Sequence, residues 1–413
     1  MNKQNLILLT LLFTLNVSAQ VNYHVKLMSW NVLNWPSVSN FLSDTTERCP
    51  AYRTVVNFVK PDILITSENT TSNSIPLFLN QVMNTGSYHY QAGTFINGYD
   101  TDNGIFYRDS LFDFISNQPI QTFLRDINHF TLVFKLTGDT IHIFSCHLKA
   151  GQGYEPQRGS EIAKLRQVTN AFPAGTNFII GGDFNIYEAA EPAYTGMLQD
   201  NPGDDGNFID PIQLSGIWNY SGYAPYHTQS THVNSTGTFA GGGMDDRFDM
   251  ILFSNAIAEP TGVYYLPGTY LNLGNDGNHF NRDINFGTNT AVPIDVANAL
   301  FNSSDHLPII VTMSFGSTSG IKEAGFAFSD VNVFPDPVVE NSKVYFTLKE
   351  TSKVNYVLMD ALGRIMDSSS PYIYEPGGHF LPVDWNKLNN SGVYFLSINY
   401  DNRLVIKKII YFR

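Results

Sequence analysis

The segment 177–185, NFIIGGDFN, places a carboxylate and a carboxamide at a spacing that suits catalysis. Its apolar run FII, bounded by glycine, is typical of a strand buried on both faces. Asp183 and Asn185 follow that run, so in an extended chain their side chains point the same way while Phe184 points back into the core. Such a pair can orient a water molecule and hold a phosphoryl oxygen. An ordinary turn, in which Asp and Asn bond only the backbone, explains the fragment equally well.

Further polar residues stand at the ends of other apolar segments. The candidates are Asn31, Glu68, His147, Asp305 and His306, and Asp249 lies inside the apolar segment RFDMIL. Binding and catalytic sites commonly form where strands end. An Asp within a buried strand is costly unless it is paired, so we expect a cation or a histidine beside Asp249. Each residue alone also has a structural explanation, such as a turn, a cap or a hydrogen-bonded core imidazole.

Strands must position these residues, and alternating or continuous apolar patterns indicate where they run. We expect strands at 23–32, 61–68, 140–148, 177–183, 247–254 and 308–315. Apolar residues at helical spacing predict helices at 47–60 and 161–172. Gly, Asn, Tyr, Pro and Thr dominate 188–243, which we expect to form long loops, as we do the segment from 255 to 302. This order indicates a mixed α/β layer architecture.

The amino terminus has the pattern of an export signal. Residues 1–19 combine Lys3, the apolar run LILLTLLFTL and the small residues VSA, which predicts a signal peptide cleaved after Ala19. The apolar run is too short to span a bilayer. We expect Cys146 to be a buried thiol, although an exported protein also permits a disulfide with Cys49.

Charge is unevenly distributed along the chain. Residues 20–316 contain 13 Lys and Arg against 27 Asp and Glu, a balance of −14, whereas residues 317–413 contain 10 of each kind. An acidic domain lacks the broad basic surface of a tight nucleic-acid binder. If the substrate contains phosphate, metal ions and a few arginines must attract it.

Six short motifs, in this order, resemble those of the endonuclease/exonuclease/phosphatase superfamily. They are Trp30-Asn31, Ser67-Glu68, His147-Leu148-Lys149, Gly182-Asp183-Phe184-Asn185, Arg247-Phe248-Asp249 and Ser304-Asp305-His306. The combination of GDFN with SDH is specific, whereas any one motif is weak. The resemblance extends over residues 20–316 and implies a four-layered α/β sandwich, with two packed β-sheets flanked by helices. It also implies hydrolysis of phosphate esters assisted by Mg²⁺, or by Mn²⁺ or Ca²⁺.

The resemblance assigns a cation site and a phosphate contact. Glu68 is implied to be a metal ligand, with Asn31 and Asp305 near the same ion. These are hard oxygen donors, too few for a closed cage, so water and substrate phosphate should complete the coordination shell. Arg125 matches a phosphate-contacting arginine of deoxyribonuclease-like members, and a surface salt bridge is an equally good explanation of it.

The resemblance also assigns the catalytic groups. Asp183 is implied to orient or deprotonate the attacking water, and Asn185 to donate to the phosphoryl oxygens. His306, held by Asp249, is implied to lie beside the scissile phosphorus. His147 would be the second histidine, which contacts the phosphate or protonates the leaving oxygen. Together they suit in-line displacement, whose transition state is anionic.

The composition shifts after residue 316. Residues 317–330 are small and polar and predict a linker, and 331–413 alternate short strands with turns, which predicts a small all-β sandwich. The segments FPDP (334–337), DALGR (360–364), SGVY (391–394) and the final KK (407–408) resemble the C-terminal sorting domain of type IX secretion cargo. Asp336 replaces the usual Asn of the first motif. The resemblance implies passage of the outer membrane by the type IX machinery, and a carbohydrate- or protein-binding module is the alternative.

Taken together, the motifs favour a secreted or cell-surface metal-dependent phosphodiesterase, with an extracellular nuclease acting on DNA or RNA as the leading hypothesis. A phosphatase or a sphingomyelinase-like lipid phosphodiesterase would share the whole site, and a catalytically inactive binding protein is a further alternative. No long apolar hairpin is evident, so we expect no stable membrane insertion.

Overall fold

The computed structural model describes residues 23–36, 48–203, 205–260, 262–316, 328–334, 338–340, 342–348, 351–360, 364–388, 390–400 and 403–411. The expected signal peptide, 1–19, lies outside these residues, as does most of the expected linker. The chain divides into two compact units, Met1–Ser319 and Gly320–Arg413. Within the described part of the chain, no helix combines the length and apolar character needed to cross a bilayer.

The first unit contains two sheets and six α-helices among its described residues. Its strands are β1 (Tyr23–Trp35), β2 (Ile63–Asn69), β3 (Tyr90–Ala92), β4 (Asp102–Arg108), β5 (Phe112–Ile120), β6 (Ile127–Phe134), β7 (Thr140–His147), β8 (Phe178–Asp183), β9 (Phe208–Ile209), β10 (Asp249–Ser254), β11 (Val263–Tyr265), β12 (Leu271–Asn272) and β13 (Ile309–Phe315). Its helices are α1 (Cys49–Val59), α2 (Ser74–Gln81), α3 (Glu155–Thr169), α4 (Pro192–Leu198), α5 (Asn255–Ala258) and α6 (Ile294–Ser303).

The two sheets are mixed, with mainly antiparallel pairs. The first has the order β11-β13-β1-β2-β4-β3, with β12 also paired to β13, and the second has the order β5-β6-β7-β8-β10-β9. The pairs β1–β2 and β7–β8 are parallel. In the first sheet, therefore, β1 and β2 end at the same edge. In the second sheet, β7 and β8 do so as well.

Three apolar cores separate four layers. The core between the sheets contains residues from one face of most strands, for example Leu27, Ile143 and Ile179. A second core lies between the first sheet and α1, α2 and α6, and a third lies between the second sheet and α3 and α4. The predicted four-layered α/β sandwich is therefore confirmed.

The segments that we expected to be loops contain helices. α4 lies inside 188–243, and α5 and all but the last residue of α6 lie inside 255–302, so the prediction of continuous loops was wrong there. In α6, Val296, Ala297 and Leu300 share one buried face, a helical spacing that was present in the sequence. α4 has seven residues and includes Pro192 and Gly196, so its propensity signal is weak. α3 begins six residues before the expected Glu161.

The two cysteines lie in different cores. Cys49 is the first residue of α1 and packs in the core between the first sheet and its helices. Cys146 lies in β7 and packs in the core between the second sheet and α3 and α4. Both thiols are buried, and no disulfide joins them. Cys146 is thus the buried thiol that the strand pattern predicts.

The second unit is all-β in its described residues. Its strands are β14 (Phe328–Phe334), β15 (Lys343–Leu348), β16 (Ser352–Asp360), β17 (Ile365–Ser368), β18 (Tyr372–Tyr374), β19 (Gly377–Leu381), β20 (Gly392–Tyr400) and β21 (Arg403–Tyr411). They form a three-stranded sheet and a five-stranded sheet around one apolar core. This agrees with the predicted small β-sandwich. Residues 335–337 and 361–363 of the sorting motifs lie outside the described residues.

Candidate active site

The candidate site lies at the edge of the sandwich where the inter-sheet core ends. In β8, Ile179 packs between the sheets, and the same side-chain parity four residues later turns Asp183 toward the opposite sheet. Phe184 packs into the core on the helix side, as predicted. His147 is the direct partner of Asp183 in the parallel pair, and Asp249 is its partner in the antiparallel pair. Strand register therefore brings three polar residues together.

Glu68 reaches the same pocket through an irregularity in β2. Strict alternation would turn Glu68 to the helix side together with Leu64, which packs against the helices. Instead Glu68 has a left-handed φ of 63°, and the strand register shifts between Thr66 and Asn69. Its Oε1 accepts a hydrogen bond from Asn31 Nδ2 at 2.9 Å. The bulge thus joins Glu68 to the end of β1.

Asn31 connects two carboxylates of the site. Its Nδ2 also lies 3.2 Å from Asp183 Oδ2, and its Oδ1 accepts from the amide of Leu33 at 2.9 Å. Asn31 is buried. The predicted metal ligand therefore holds Glu68 and Asp183 close to each other in this structure.

The GDFN segment needs unusual backbone conformations. Gly182 has a φ of 147°, and a β-carbon there would collide with the carbonyl oxygen of Cys146. Asn185 has a φ of 51°, its amide donates to Asp183 Oδ1 at 3.0 Å, and its Nδ2 donates to the carbonyl of Leu148 at 3.2 Å. A carboxamide nitrogen has two hydrogens, so one remains available for a phosphoryl oxygen.

Asp249 and His306 form a buried pair. The burial argument led us to expect a cation or a histidine beside Asp249, and the family resemblance implied His306. His306 Nδ1 lies 2.7 Å from Asp249 Oδ2, and both side chains are at most 3% exposed. The carbonyl of His306 accepts from Trp30 Nε1 at 2.9 Å, and its amide donates to the Ser304 hydroxyl at 3.1 Å. The contact of the ring with Asp249 and the two hydrogen bonds of the backbone therefore fix the position of His306.

The two histidines of the site have opposite pKa shifts. Burial by itself lowers the pKa of His306, but the charges of Asp249 and Asp183 outweigh it and raise that pKa well above its ordinary value. Burial lowers the pKa of His147 well below its ordinary value, and Arg125 and His306 lower it further. One imidazole is therefore cationic and the other neutral near pH 7. Such divergence is typical of acid–base pairs in active sites.

Three groups of the site are close enough to share a cation. Single ligand atoms of Glu68, His147 and Asp183 lie within 4.8 Å of one another. His147 Nδ1 lies 3.8 Å from Glu68 Oε1, and His147 Nε2 lies 3.5 Å from Asp183 Oδ2. His147 Nδ1 is buried and has no hydrogen-bond partner among the described residues. A divalent cation fits such a donor set, and Glu68 is common to this cluster and to the predicted ligands.

Two known families match separate parts of the chain. Residues 28–306 match the Endonuclease/Exonuclease/phosphatase family, which is more than half of the chain. The protein belongs to the endonuclease/exonuclease/phosphatase family. Residues 332–411 match the Secretion system C-terminal sorting domain. Both resemblances inferred from the sequence are confirmed, and they identify a phosphoric ester hydrolase carrying the tail of a secreted or cell-surface protein.

Solved structures of similar fold come from several organisms. TDP2 of D. rerio, complexed with single strand DNA product, is 18% identical over 70% of this chain and 98% of its own, with a TM-score of 0.48. An endonuclease/exonuclease/phosphatase family protein from Bacteroides thetaiotaomicron is 16% identical over 74% and 100%, with a TM-score of 0.48. The human Nocturnin catalytic domain is 20% identical over 72% and 97%, with a TM-score of 0.46. No curated protein matches the sequence. These values do not bear on the substrate.

Asp305 of this endonuclease/exonuclease/phosphatase protein anchors a loop. Its Oδ2 accepts from the amide of Ala240 at 2.8 Å, and its carbonyl accepts from the amide of Thr231 at 3.0 Å. Burial raises the pKa of Asp305 to about 6, with His306 opposing the rise and Glu68 adding to it. Asp305 Oδ1 is buried without a hydrogen-bond partner among the described residues. One carboxylate oxygen therefore remains for a cation.

Arg125 lies at the rim of the site and forms the salt bridge that the sequence left open. Its Nη2 lies 2.7 Å from Asp100 Oδ2, and its Nε lies 3.2 Å from Thr101 Oγ1. Its Nη1 lies 3.5 Å from the carbonyl oxygen of Leu148, which also accepts from Asn185. Arg125 is thus separated from Asn185 by a single carbonyl group.

Gln229 is a site residue that sequence reasoning missed. Its side-chain amide lies 2.6 Å from Nε2 of His306, the ring nitrogen not bonded to Asp249. A protonated His306 donates through Nε2, so the amide oxygen of Gln229 is the group that can accept there. Gln229 lies within a segment of irregular backbone, where no periodic pattern could have indicated its direction.

Proposed function

We propose that the protein is a secreted, divalent-metal-dependent phosphodiesterase that acts as an extracellular nuclease on DNA or RNA. The main support is the pairing of a cationic His306 with a neutral His147, both within 4 Å of Asp183 Oδ2. Phosphoryl transfer to water needs a base for the nucleophile and positive charge for the developing anion. The three residues offer both functions in one pocket.

Asp183 acts as the base for the attacking water. Burial raises its pKa to about 7, and the neighbouring carboxylates of Asp249 and Glu68 add to the rise while His306 opposes it. A carboxylate with this pKa accepts a proton far better than an ordinary aspartate near neutral pH. The amide of Asn185 fixes Asp183 Oδ1, so Oδ2 faces the histidines.

His306 stabilises the phosphoryl oxygens as negative charge develops. Asp249 holds Nδ1 and keeps the ring cationic, so that Nε2–H can donate to a phosphoryl oxygen that displaces the side-chain amide of Gln229. His147, which is neutral, donates through a single ring N–H to a phosphate oxygen or to the leaving oxygen. Asn185 contributes the second hydrogen of its amide to the phosphoryl group.

Glu68, with Asn31 and Asp305, would hold the divalent ion. Its carboxylate is positioned by Asn31 and by the amide of Asn34, which donates to Oε2 at 2.8 Å. When bound, the ion would withdraw charge from the phosphoryl group. The buried and unpartnered Oδ1 of Asp305 supports its place near the ion.

Export supports an extracellular polymer as substrate, and the sorting tail implies the type IX secretion machinery as a partner. The balance of −14 in residues 20–316 weighs against tight binding to a polyanion but not against fast turnover of an abundant one.

A substrate panel tests the proposal. The mature protein would be incubated with plasmid DNA, RNA, bis-p-nitrophenyl phosphate, sphingomyelin and inositol phosphates, in Mg²⁺ and in chelator. We expect nucleic acid to be cleaved in Mg²⁺ only, and His306→Ala to abolish cleavage. His89→Ala is the matched control, since His89 pairs with Asp109 on the surface. Cleavage of only the lipid or only the inositol phosphates would replace the nuclease by one of the alternatives.

A further inference from the structure

An exposed phenylalanine projects from a hydrogen-bonded turn beside the active site. The segment 121–126 joins β5 to β6, and Phe123 at its tip is 85% exposed. The turn closes on itself, because Thr122 Oγ1 donates to the carbonyl of Arg125 at 2.6 Å and the amide of Thr122 lies 3.4 Å from Asp126 Oδ1. At this exposure Phe123 contributes little buried apolar area to the fold.

A buried carboxylate fastens this turn to the segment that follows β7. Glu161 on α3 accepts from the amide of Lys149 at 3.1 Å through Oε2, and its Oε1 lies 3.5 Å from Thr122 Oγ1. Lys164 Nζ also donates to the carbonyl of Gln121 at 2.7 Å. The turn and the segment after β7 therefore form one fixed surface.

That surface includes a second aromatic ring and a cation. Tyr154, just before α3, is 42% exposed, and Lys149 Nζ lies 4.0 Å from the centre of its ring. Lys149 follows His147 by two residues. We name Phe123, Tyr154 and Lys149 the aromatic rim.

The strand topology places the aromatic rim at the site. β6 runs antiparallel to β7, with Asn128 opposite Ser145, so the start of β6 and the end of β7 share an edge. The carbonyl of Leu148 at this edge accepts from Asn185 and lies 3.5 Å from Arg125 Nη1. A group esterified to a phosphate at Asn185 can therefore extend over the aromatic rim.

We propose that the aromatic rim binds an unpaired nucleobase next to the scissile phosphate, so that the preferred substrate is single-stranded nucleic acid. This inference rests on the proposed nuclease function. Exposed aromatic faces bind bases by stacking without regard to sequence, and a neighbouring cation suits the adjoining phosphate. Stacking also supplies affinity that the acidic domain does not obtain from a basic surface.

Two other occupants fit less well. In a duplex each base already stacks on its neighbours, so a ring that binds the face of a base must compete with them. A sugar phosphate has hydroxyl groups, whereas Phe123 offers it no hydrogen bond. Both remain outcomes of the test.

The test measures binding separately from hydrolysis. Full-length chain carrying His306→Ala would be titrated in Mg²⁺ against a fluorescent oligothymidylate, a blunt duplex and mannose 6-phosphate. We expect the oligothymidylate to bind best, Phe123→Ala to weaken its binding about 5- to 100-fold, and Phe123→Trp to retain it. Tyr154→Phe should retain binding, whereas Tyr154→Ala should weaken it.

Phe58→Ala is the matched control. Phe58 is 48% exposed near the end of α1, just before β2 begins, and so lies at the edge opposite Glu68. Its substitution should leave binding unchanged. Unchanged binding in Phe123→Ala, or preferred binding of the duplex or the sugar phosphate, would overturn the inference even if the wild type is a nuclease. Binding that depends on Phe123 without hydrolysis by the wild type would instead overturn the proposed function alone.

Discussion

His147 and His306 direct their Nε2 atoms to the same carboxylate oxygen, Oδ2 of Asp183, at 3.5 and 3.7 Å. Asp249 makes one of these rings cationic, and burial without a close carboxylate hydrogen bond keeps the other neutral. The difference between two otherwise similar histidines therefore depends on one strand residue. That dependence can be tested directly.

Asp249→Asn should lower activity by about 10²- to 10⁴-fold, the range expected for losing an acid–base group. The amide cannot hold His306 cationic, so the pKa of His306 should fall toward its ordinary value. Histidine NMR titration and kcat measure the two effects. Asp109→Asn is the control, because Asp109 makes an equally short contact of 2.7 Å with His89 but on the surface. A normal kcat in Asp249→Asn would remove His306 from the mechanism.

The rate should have a bell-shaped dependence on pH. Asp183 must be deprotonated, so the rate rises with pH through its pKa of about 7. His306 must be protonated, so the rate falls again only above its raised pKa. A bound cation favours the charged form of Asp183, so the acid limb should move to lower pH as Mg²⁺ increases. Profiles of kcat/KM at several Mg²⁺ concentrations measure this shift. If the acid limb is the same in Asp183→Asn as in the wild type, Asp183 is not the group that titrates there.

Both raised pKa values make the protein less stable as pH rises, each over its own pH range. His306 binds its proton more tightly when folded, so its contribution is present below the unfolded pKa of about 6.5 and is lost as pH rises through the folded pKa. Asp183 also retains a proton when folded, so its burial costs stability as pH rises from about 4 toward 7.

Much of the site followed from strand parity. The spacing gave the directions of Asp183 and Phe184 correctly, because β8 continues in an extended form up to Asp183. Asn185 follows the strand with a left-handed φ of 51°, which the spacing did not predict. The pairing of Asp249 with a histidine also followed, since an isolated buried carboxylate is unfavourable. These inferences need only local geometry and the cost of burial.

Other parts depended on features that no periodic pattern encodes. Strict alternation along β2 would place Glu68 on the helix side of the sheet. Its left-handed φ turns the side chain toward the site instead. Gln229 reaches His306 from an irregular segment, and the partner of Arg125 is set by a distant loop that contains Asp100. Tertiary contacts decide these positions.

Glu68→Gln should weaken the binding of Mg²⁺, because it removes a charged ligand. Glu68 belongs both to the cluster with His147 and Asp183 and to the ligand set that the family resemblance implies. Isothermal titration calorimetry measures the affinity, and saturating Mg²⁺ should raise the melting temperature of the wild type more than that of the variant. Glu259→Gln, on the exposed surface, is the control. Equal Mg²⁺ affinity in wild type and Glu68→Gln would place the ion elsewhere.

Gln229→Leu should lower the pKa of His306 and reduce kcat about 2- to 10-fold, the usual worth of one hydrogen bond. Gln229→Glu should raise the pKa of His306, because it adds a negative charge beside Nε2. Opposite NMR shifts in the two variants would identify Gln229 as a positioning residue. If neither variant changes the titration of His306, the contact has no influence on the ring.

Arg247, two residues before Asp249 in the sequence, should contribute to stability rather than to the reaction. Its guanidinium makes two hydrogen bonds of 2.9 Å with Asp210, and both side chains are at most 1% exposed. Burial alone would raise the pKa of Asp210, but Arg247 and the hydroxyl of Tyr194 lower it. The stabilisation is therefore present above a pH of about 4 and is lost as pH falls through the folded pKa.

Asp210→Ala leaves a buried guanidinium without its carboxylate, so it should lower the free energy of unfolding by about 3–5 kcal/mol. Replacing both partners by apolar residues, Asp210→Leu with Arg247→Met, should cost less than the single change, because no uncompensated charge remains. Chemical denaturation measures both, and Asp113→Ala, which breaks the exposed pair with Lys135, should cost at most about 1 kcal/mol. A double variant less stable than Asp210→Ala would show that the pair itself, rather than the cost of isolating one charge, holds the start of β10.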